Sequence, residues 1–108
     1  MDEMMNEALD LIRQNGKVYM ACMGEGGYPN VTVKGVKVEA DNTLVYHDRS
    51  DGRTVQLLKE SPRVLINDLR EKDPYRGYKL KGTVAFEPYP ETENTVTIRV
   101  QIEQVFPY

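Results

Sequence analysis

The sequence has no tryptophan, two phenylalanines, one cysteine and one histidine, and each shortage closes off a kind of chemistry. A lone cysteine, Cys22, has no partner for an internal disulfide. Its place in an apolar run marks it as a small buried hydrophobe rather than a catalytic thiol. With one histidine and one cysteine there is nothing resembling a zinc site or a catalytic triad, so no metal is expected and no catalytic residue is assigned. The longest apolar stretch, residues 18–23, is far too short to cross a bilayer. The N-terminus, Met1-Asp2-Glu3-Met4-Met5-Asn6-Glu7, is acidic and lacks the basic start and long apolar run of a secretory signal, so a cytoplasmic chain without a membrane partner is expected. Fourteen basic against seventeen acidic side chains leave a net charge of −3, which opposes nonspecific attraction to nucleic acid. An aromatic platform for stacking single-stranded bases is missing as well.

What is present fits one soluble domain over residues 1–108, with 40% hydrophobic and 29% charged residues and one modest core. Met4, Met5, Ala8, Leu9, Leu11 and Ile12 recur at helical spacing up to the stop at Asn15-Gly16, predicting an amphipathic helix that lids the core. Strands 18–23 and 30–38 flank a turn carrying Gly24, Gly26, Gly27 and Pro29 and read as a hairpin. In the second of them the alternation of Val31 and Val33 resumes out of phase at Val36 and Val38, so a bulge or bend is expected at Gly35. Asp41-Asn42 makes a turn into strand 43–47. A short helix carrying Thr54, Val55, Leu57 and Leu58 then stops near Ser61-Pro62. Strand 63–69 and a charged loop over 70–77 follow. In the next strand Tyr78, Leu80, Val84 and Phe86 oppose Lys79, Lys81, Thr83 and Ala85. After a connector with Pro88 and Pro90, the last strand alternates Val96, Ile98, Val100 and Ile102 against Thr97, Arg99, Gln101 and Glu103. Connections too short for crossover helices make this a mainly β fold, a six-stranded antiparallel barrel with two short helices.

The segment richest in chemistry is Arg49-Ser50-Asp51-Gly52-Arg53-Thr54, which joins a strand to a helix N-terminus. Free N–H groups and the helix dipole favour an anion there, Arg53 offers a forked donor and Thr54 a hydroxyl, which together make a phosphate cradle. The competing reading is an ordinary helix capped by Ser50 or Asp51, whose oxygen would already take some of those donors. Gly24-Glu25-Gly26-Gly27 lacks the dinucleotide fingerprint and reads as a hairpin turn. His47 ends a strand and reads as a surface or loop-contact residue. Lys79 and Lys81 suit edge protection, and Tyr75, Tyr78, Tyr89 and Tyr108 suit either an interface or a flat ligand.

Taken in order, residues 5–87 resemble the pyridoxamine 5′-phosphate oxidase-like family of FMN-binding split barrels, including the small bacterial FMN-binding proteins. The resemblance rests on the helix, first strand and Gly-Pro turn before Asn30-Val31-Thr32-Val33, on Lys37-Val38, on the loop ending in Arg53-Thr54, on Ser61-Pro62-Arg63-Val64, and on Leu80-Lys81-Gly82-Thr83-Val84-Ala85. It implies a split barrel holding FMN, with the phosphate on Arg53 and Thr54. The stretch His47 to Ser50, with Arg49, would border the flavin edge through backbone groups. Asn30, Val31 and Thr32 would lie along the ring or ribityl chain, and Lys81 would add positive charge. It further implies a homodimer with the flavin at the interface and an oxidoreductase or electron-transfer role whose redox partner is not specified. Two departures stand out. There is no histidine after His47, which argues against pyridoxamine phosphate as substrate. Only residues 88–94 occupy the place where many relatives insert a helix. Asp51 in the cradle keeps open a flavin-free binding or dimerisation module, and the same cleft would also suit a deazaflavin or haem.

Overall fold

The computed structural model describes residues 3–108. Two helices and seven strands follow in the order α1 (Glu3–Asn15), β1 (Lys17–Met23), β2 (Pro29–Gly35), β3 (Lys37–Glu39), β4 (Thr43–Arg49), α2 (Arg53–Glu60), β5 (Arg63–Arg70), β6 (Asp73–Pro88) and β7 (Thr95–Pro107). Helix α1 buries the stripe Met5, Ala8, Leu9 and Ile12, as its spacing requires. It ends where Gly16 turns left-handed at φ 72° and donates its N–H to the Ile12 carbonyl at 2.7 Å. Helix α2 buries Thr54, Val55, Leu57 and Leu58 and stops before Pro62.

All pairings are antiparallel, and the strands lie in one sheet in the order β2-β1-β5-β6-β7-β4-β3. The sheet has seven strands rather than the expected six, and the correction lies at Gly35. What reads as one strand over 30–38 is two: β2 pairs with β1 at one edge of the sheet, and β3 pairs with β4 at the other. Val36 joins them outside either ladder and donates its N–H to the Gly16 carbonyl at 3.1 Å. Because one residue connects strands at opposite edges, the sheet must curl until those edges approach, which makes it a half-barrel.

The charged stretch 70–77 is also not a loop. β5 runs to Arg70 and β6 begins at Asp73, so a long ribbon pairs Asp68 with Tyr78 and Leu69 with Gly77. Polar side chains projecting from a two-stranded ribbon meet water on both faces, so their charge carries no information against a strand. Gly77 is required there, because any side chain would collide with the Asp68 carbonyl of the facing strand.

The core fills the concave side. Val18, Met20 and Cys22 of β1, Leu44 and Tyr46 of β4, Val64 and Ile66 of β5, Tyr78, Leu80 and Val84 of β6 and Ile98, Val100 and Ile102 of β7 meet the buried faces of both helices. The convex side of β2, β1 and β5 is different. Tyr19, Met23, Val31, Val33 and Leu65 are all exposed there, with Tyr19 registered between Val33 and Asn67 and Ala21 between Val31 and Leu65.

Candidate functional site

Curling the sheet leaves a slit between β2 and the second half of β4. β2 has a ladder partner only in β1, and residues 46–48 of β4 pair only with β7, so each keeps one strand edge without a ladder partner, while Arg49 closes its own backbone, its N–H on Asp48 Oδ1 at 2.9 Å and its carbonyl on the Gly52 N–H at 3.0 Å. Side chains bridge the gap. Lys34 Nζ reaches Asp48 Oδ2 at 2.7 Å and lies 5.7 Å from the centre of the Tyr46 ring. Asn30 Nδ2 donates to Thr54 Oγ1 at 3.3 Å and lies 3.7 Å from Cys22 Sγ. Two-residue spacing puts Asn30, Thr32 and Lys34 on one side of β2, and this polar side faces inward while Val31 and Val33 face out. Between the two bridges Thr32 Oγ1 is buried without a hydrogen-bond partner. Tyr46, packed with its hydroxyl 3.9 Å from Met20 Sδ, is driven far above the usual phenol range by burial, with Asp48 and Cys22 adding to the shift.

At one end of the slit lies the N-terminus of α2, and its capping differs from the sequence expectation. The N-cap is Gly52 in extended geometry, with no side-chain hydrogen bond to the helix and no acidic residue in the first turn. Asp51 instead takes a forked pair from Arg49, Nε to Oδ1 and Nη2 to Oδ2, each at 3.1 Å. Those bonds hold its carboxyl below the ordinary range. Ser50 lies two residues before the N-cap and does not cap the helix; its N–H donates to Asn94 O at 2.8 Å and its carbonyl accepts from Gln56 Nε2 at 2.8 Å. The guanidinium two residues before Asp51 outbids the helix end, so the first-turn donors stay available. A side chain at position 52 would crowd the Arg49 carbonyl at 3.1 Å.

Thr54 is buried and aims at Asn30, whereas Arg53 is exposed and has Glu25 of the β1–β2 turn 3.8 Å away. The structure thus gathers Asn30, Thr32, Arg53 and Thr54, with the backbone of Arg49 and Ser50 alongside. His47 points away from the slit's interior. Its Nδ1 is 3.0 Å from Thr97 Oγ1 and its ring is 4.4 Å from that of Tyr89, in a cleft of about 680 Å³ that also includes Lys37 and Arg99. Val31 lies on the convex face. Lys81 lies there too, 5.8 Å from the Phe106 ring and lining a cleft of about 580 Å³ with Ser61 and Arg63. That cleft is at the far end of α2, eight residues and about 12 Å of helix from Arg53. Lys34, Asp48 and Glu25 were not singled out from the sequence. The signal for Lys34 was there, in the polar alternation Asn30-x-Thr32-x-Lys34 set against valines.

Among the described residues no group of three or more His, Cys, Asp or Glu gathers to hold a metal ion, and no helix is long and apolar enough to cross a membrane.

A curled antiparallel half-barrel with an uncapped helix end beside a polar slit defines a split barrel. The sequence profile of pyridoxamine 5′-phosphate oxidase matches residues 4–107, and the chain belongs to that family. No curated protein sequence matches the chain. Among solved structures it is similar to a Clostridium acetobutylicum protein related to general stress protein 26 of B. subtilis (pyridoxinephosphate oxidase family), with TM-score 0.82, 18% identity, and coverage of 100% of this chain and 90% of that one. It is also similar to HutZ, the haem storage protein from Vibrio cholerae, with TM-score 0.77, 12% identity, and coverage of 97% and 94%. A third is an F420 reductase, with TM-score 0.75, 16% identity, and coverage of 90% and 94%. At such identities the likeness is one of fold.

Proposed function

We propose that this chain is a cytoplasmic FMN-binding flavoprotein, an oxidoreductase or electron-transfer protein that works as a homodimer. The observation that carries the reading is the uncapped N-terminus of α2, whose free N–H groups meet the Arg53 guanidinium and the Thr54–Asn30 pair at the end of the slit. That set suits a phosphate monoester. The unpartnered Thr32 hydroxyl suits the polyol chain of such a ligand. The free edges of β2 and of residues 46–48 suit the alternating donors and acceptors along one side of a flavin ring. When bound, the flavin supplies hydride or single-electron chemistry. The protein's part is to anchor the phosphate, to present backbone groups to the ring and to limit the access of water.

The convex face supports self-association. Tyr19, Met23, Val31, Val33 and Leu65 gather exposed apolar side chains on one sheet face, the kind of surface that marks an interaction site. Homodimerisation over this face would bury it, with the flavin at the interface.

The F420 reductase and HutZ share this fold, so a deazaflavin or haem in the same slit is the reading to test against FMN. The visible absorption spectrum of the purified protein, before and after incubation with FMN and removal of the excess, separates them. Retained flavin bands are expected. A deazaflavin or haem spectrum would replace the cofactor, and a colourless protein that gains no thermal stability from FMN would overturn the reading in favour of a flavin-free module.

A further inference from the structure

We infer that Asp68 is a positioning residue, a protonation latch that fixes the C-terminal end of α1 and through it the Val36 crossing at the end of the slit.

Asp68 projects into the core from β5 and is 1% exposed. Its Oδ1 accepts a hydrogen bond from Asn15 Nδ2 at 3.1 Å, and its Oδ2 has no partner. Asn15 is the last residue of α1, and the same amide also donates to the Leu69 carbonyl at 2.9 Å. Next comes Gly16, whose carbonyl accepts the N–H of Val36, the residue that carries the chain from β2 to β3. Carboxyl, amide, left-handed glycine and crossing therefore form one short series of contacts.

The groups around Asp68 leave it without a neutralising cation. From β5, Arg70 donates to the Tyr78 hydroxyl at 3.2 Å and lies 5.5 Å from the centre of that ring. From β6, Tyr78 stands opposite Asp68 and donates to Glu7 Oε2 of α1 at 2.6 Å. Just past the end of β7, burial raises the Tyr108 phenol above its ordinary range and the Asp68 charge adds to the shift. Arg70 thus serves the Tyr78–Glu7 pair. A neutral carboxyl tolerates this site, but a carboxylate there has one hydrogen bond and an oxygen sealed from water. Burial pushes the Asp68 carboxyl up to about 7, against the smaller opposing pulls of Asn15 and Arg70. Ionisation is relieved when water reaches Oδ2, and the Asn15 end of α1, which packs against the same carboxyl through Oδ1, is the segment whose opening would admit it. The latch stands without any cofactor; its consequence at the slit rests on the FMN reading.

The test is amide hydrogen exchange at Gly16 and Val36 between pH 6 and pH 8, corrected for intrinsic rates, in the flavin-free wild type and in Asp68→Asn. In the wild type, corrected exchange is expected to rise about tenfold over that range, following the ionised fraction of an acid with its midpoint near 7. Asp68→Asn should be flat, and Glu7→Gln should keep the rise. A wild-type profile that is flat, or one that Asp68→Asn shares, would overturn the latch. If Asp68→Asn fails to fold, carboxyl-carbon NMR of the wild type decides alone: a midpoint near 7 supports the latch, and one near 4 refutes it. FMN affinity over the same range, in wild type and Asp68→Asn, separates the two readings. A fall with pH in the wild type alone supports transmission to the slit. Exchange that rises while FMN affinity stays constant would overturn transmission. Failure to bind FMN at any pH would sink the cofactor reading and leave the latch standing.

Discussion

Arg53→Ala and Glu25→Gln should move FMN affinity in opposite directions, and the structure sets the size of each effect. A hydrogen bond to a charged group contributes roughly 1.5–3 kcal/mol. The Arg53 side chain is 62% exposed, so water screens part of this and the lower end applies. Near 1.4 kcal/mol per decade of Kd, Arg53→Ala should weaken binding about tenfold. Glu25 stands 3.8 Å from that guanidinium and is itself 74% exposed. A surface pair of this kind is worth at most about 1 kcal/mol, so Glu25→Gln should tighten binding by roughly two- to fivefold. In the double variant only the repulsion between Glu25 and phosphate remains to be relieved, so the gain should shrink, and the cycle measures the coupling. Arg53→Lys should fall between wild type and Ala, because it keeps the charge and loses the fork. Quenching of FMN fluorescence, titrated at low and moderate salt, reads the wild type and all four variants. Unchanged affinity in Arg53→Ala, or weaker binding in Glu25→Gln, would refute the cradle at the α2 N-terminus.

Thr32→Val removes a buried hydroxyl that has no partner in the protein, so the flavin-free protein should melt no lower than wild type while FMN stabilises it less. Gly82→Ala would push a methyl to 2.7 Å from Val100 Cγ1 and 3.0 Å from the Gln101 carbonyl; about 1–3 kcal/mol of overpacking strain should appear as a lower melting temperature in calorimetry. Val31→Glu places a charge on the convex face, where the valine is already 62% exposed, and sedimentation should show dissociation with little loss of monomer stability. Because the folded-state value of Asp68 lies above its unfolded one, the native state holds a proton that the unfolded chain releases. Unfolding free energy should therefore fall as pH rises from about 4 to 7 and level off above, with a slope of at most about 1.4 kcal/mol per pH unit, and Asp68→Asn should lack this component in urea melts.

Periodicity alone was enough for the local elements. The stripe Met5, Ala8, Leu9 and Ile12 defines α1, the alternation from Val96 to Ile102 defines β7, and Pro62 stops α2, because each depends on neighbours a few residues away. The same locality made residues 49–54 recognisable as a helix start. The competing contacts at that start depend on distances in space. Nothing along the chain says that Arg49 claims Asp51, that Asn94 takes the Ser50 N–H, or that Glu25 comes from a distant turn to stand beside Arg53. Strand pairing is non-local in the same way. Residues 30–38 keep a strand pattern throughout, and only the choice of β1 and β4 as partners splits them at Val36, adds the seventh strand and curls the sheet. That curl turns Asn30, Thr32 and Lys34 inward, leaves Val31 and Val33 in water, and carries Lys81 to the far end of α2. A side chain's spacing follows from the backbone of its own segment, but the face that becomes interior is decided by what the rest of the chain packs against it.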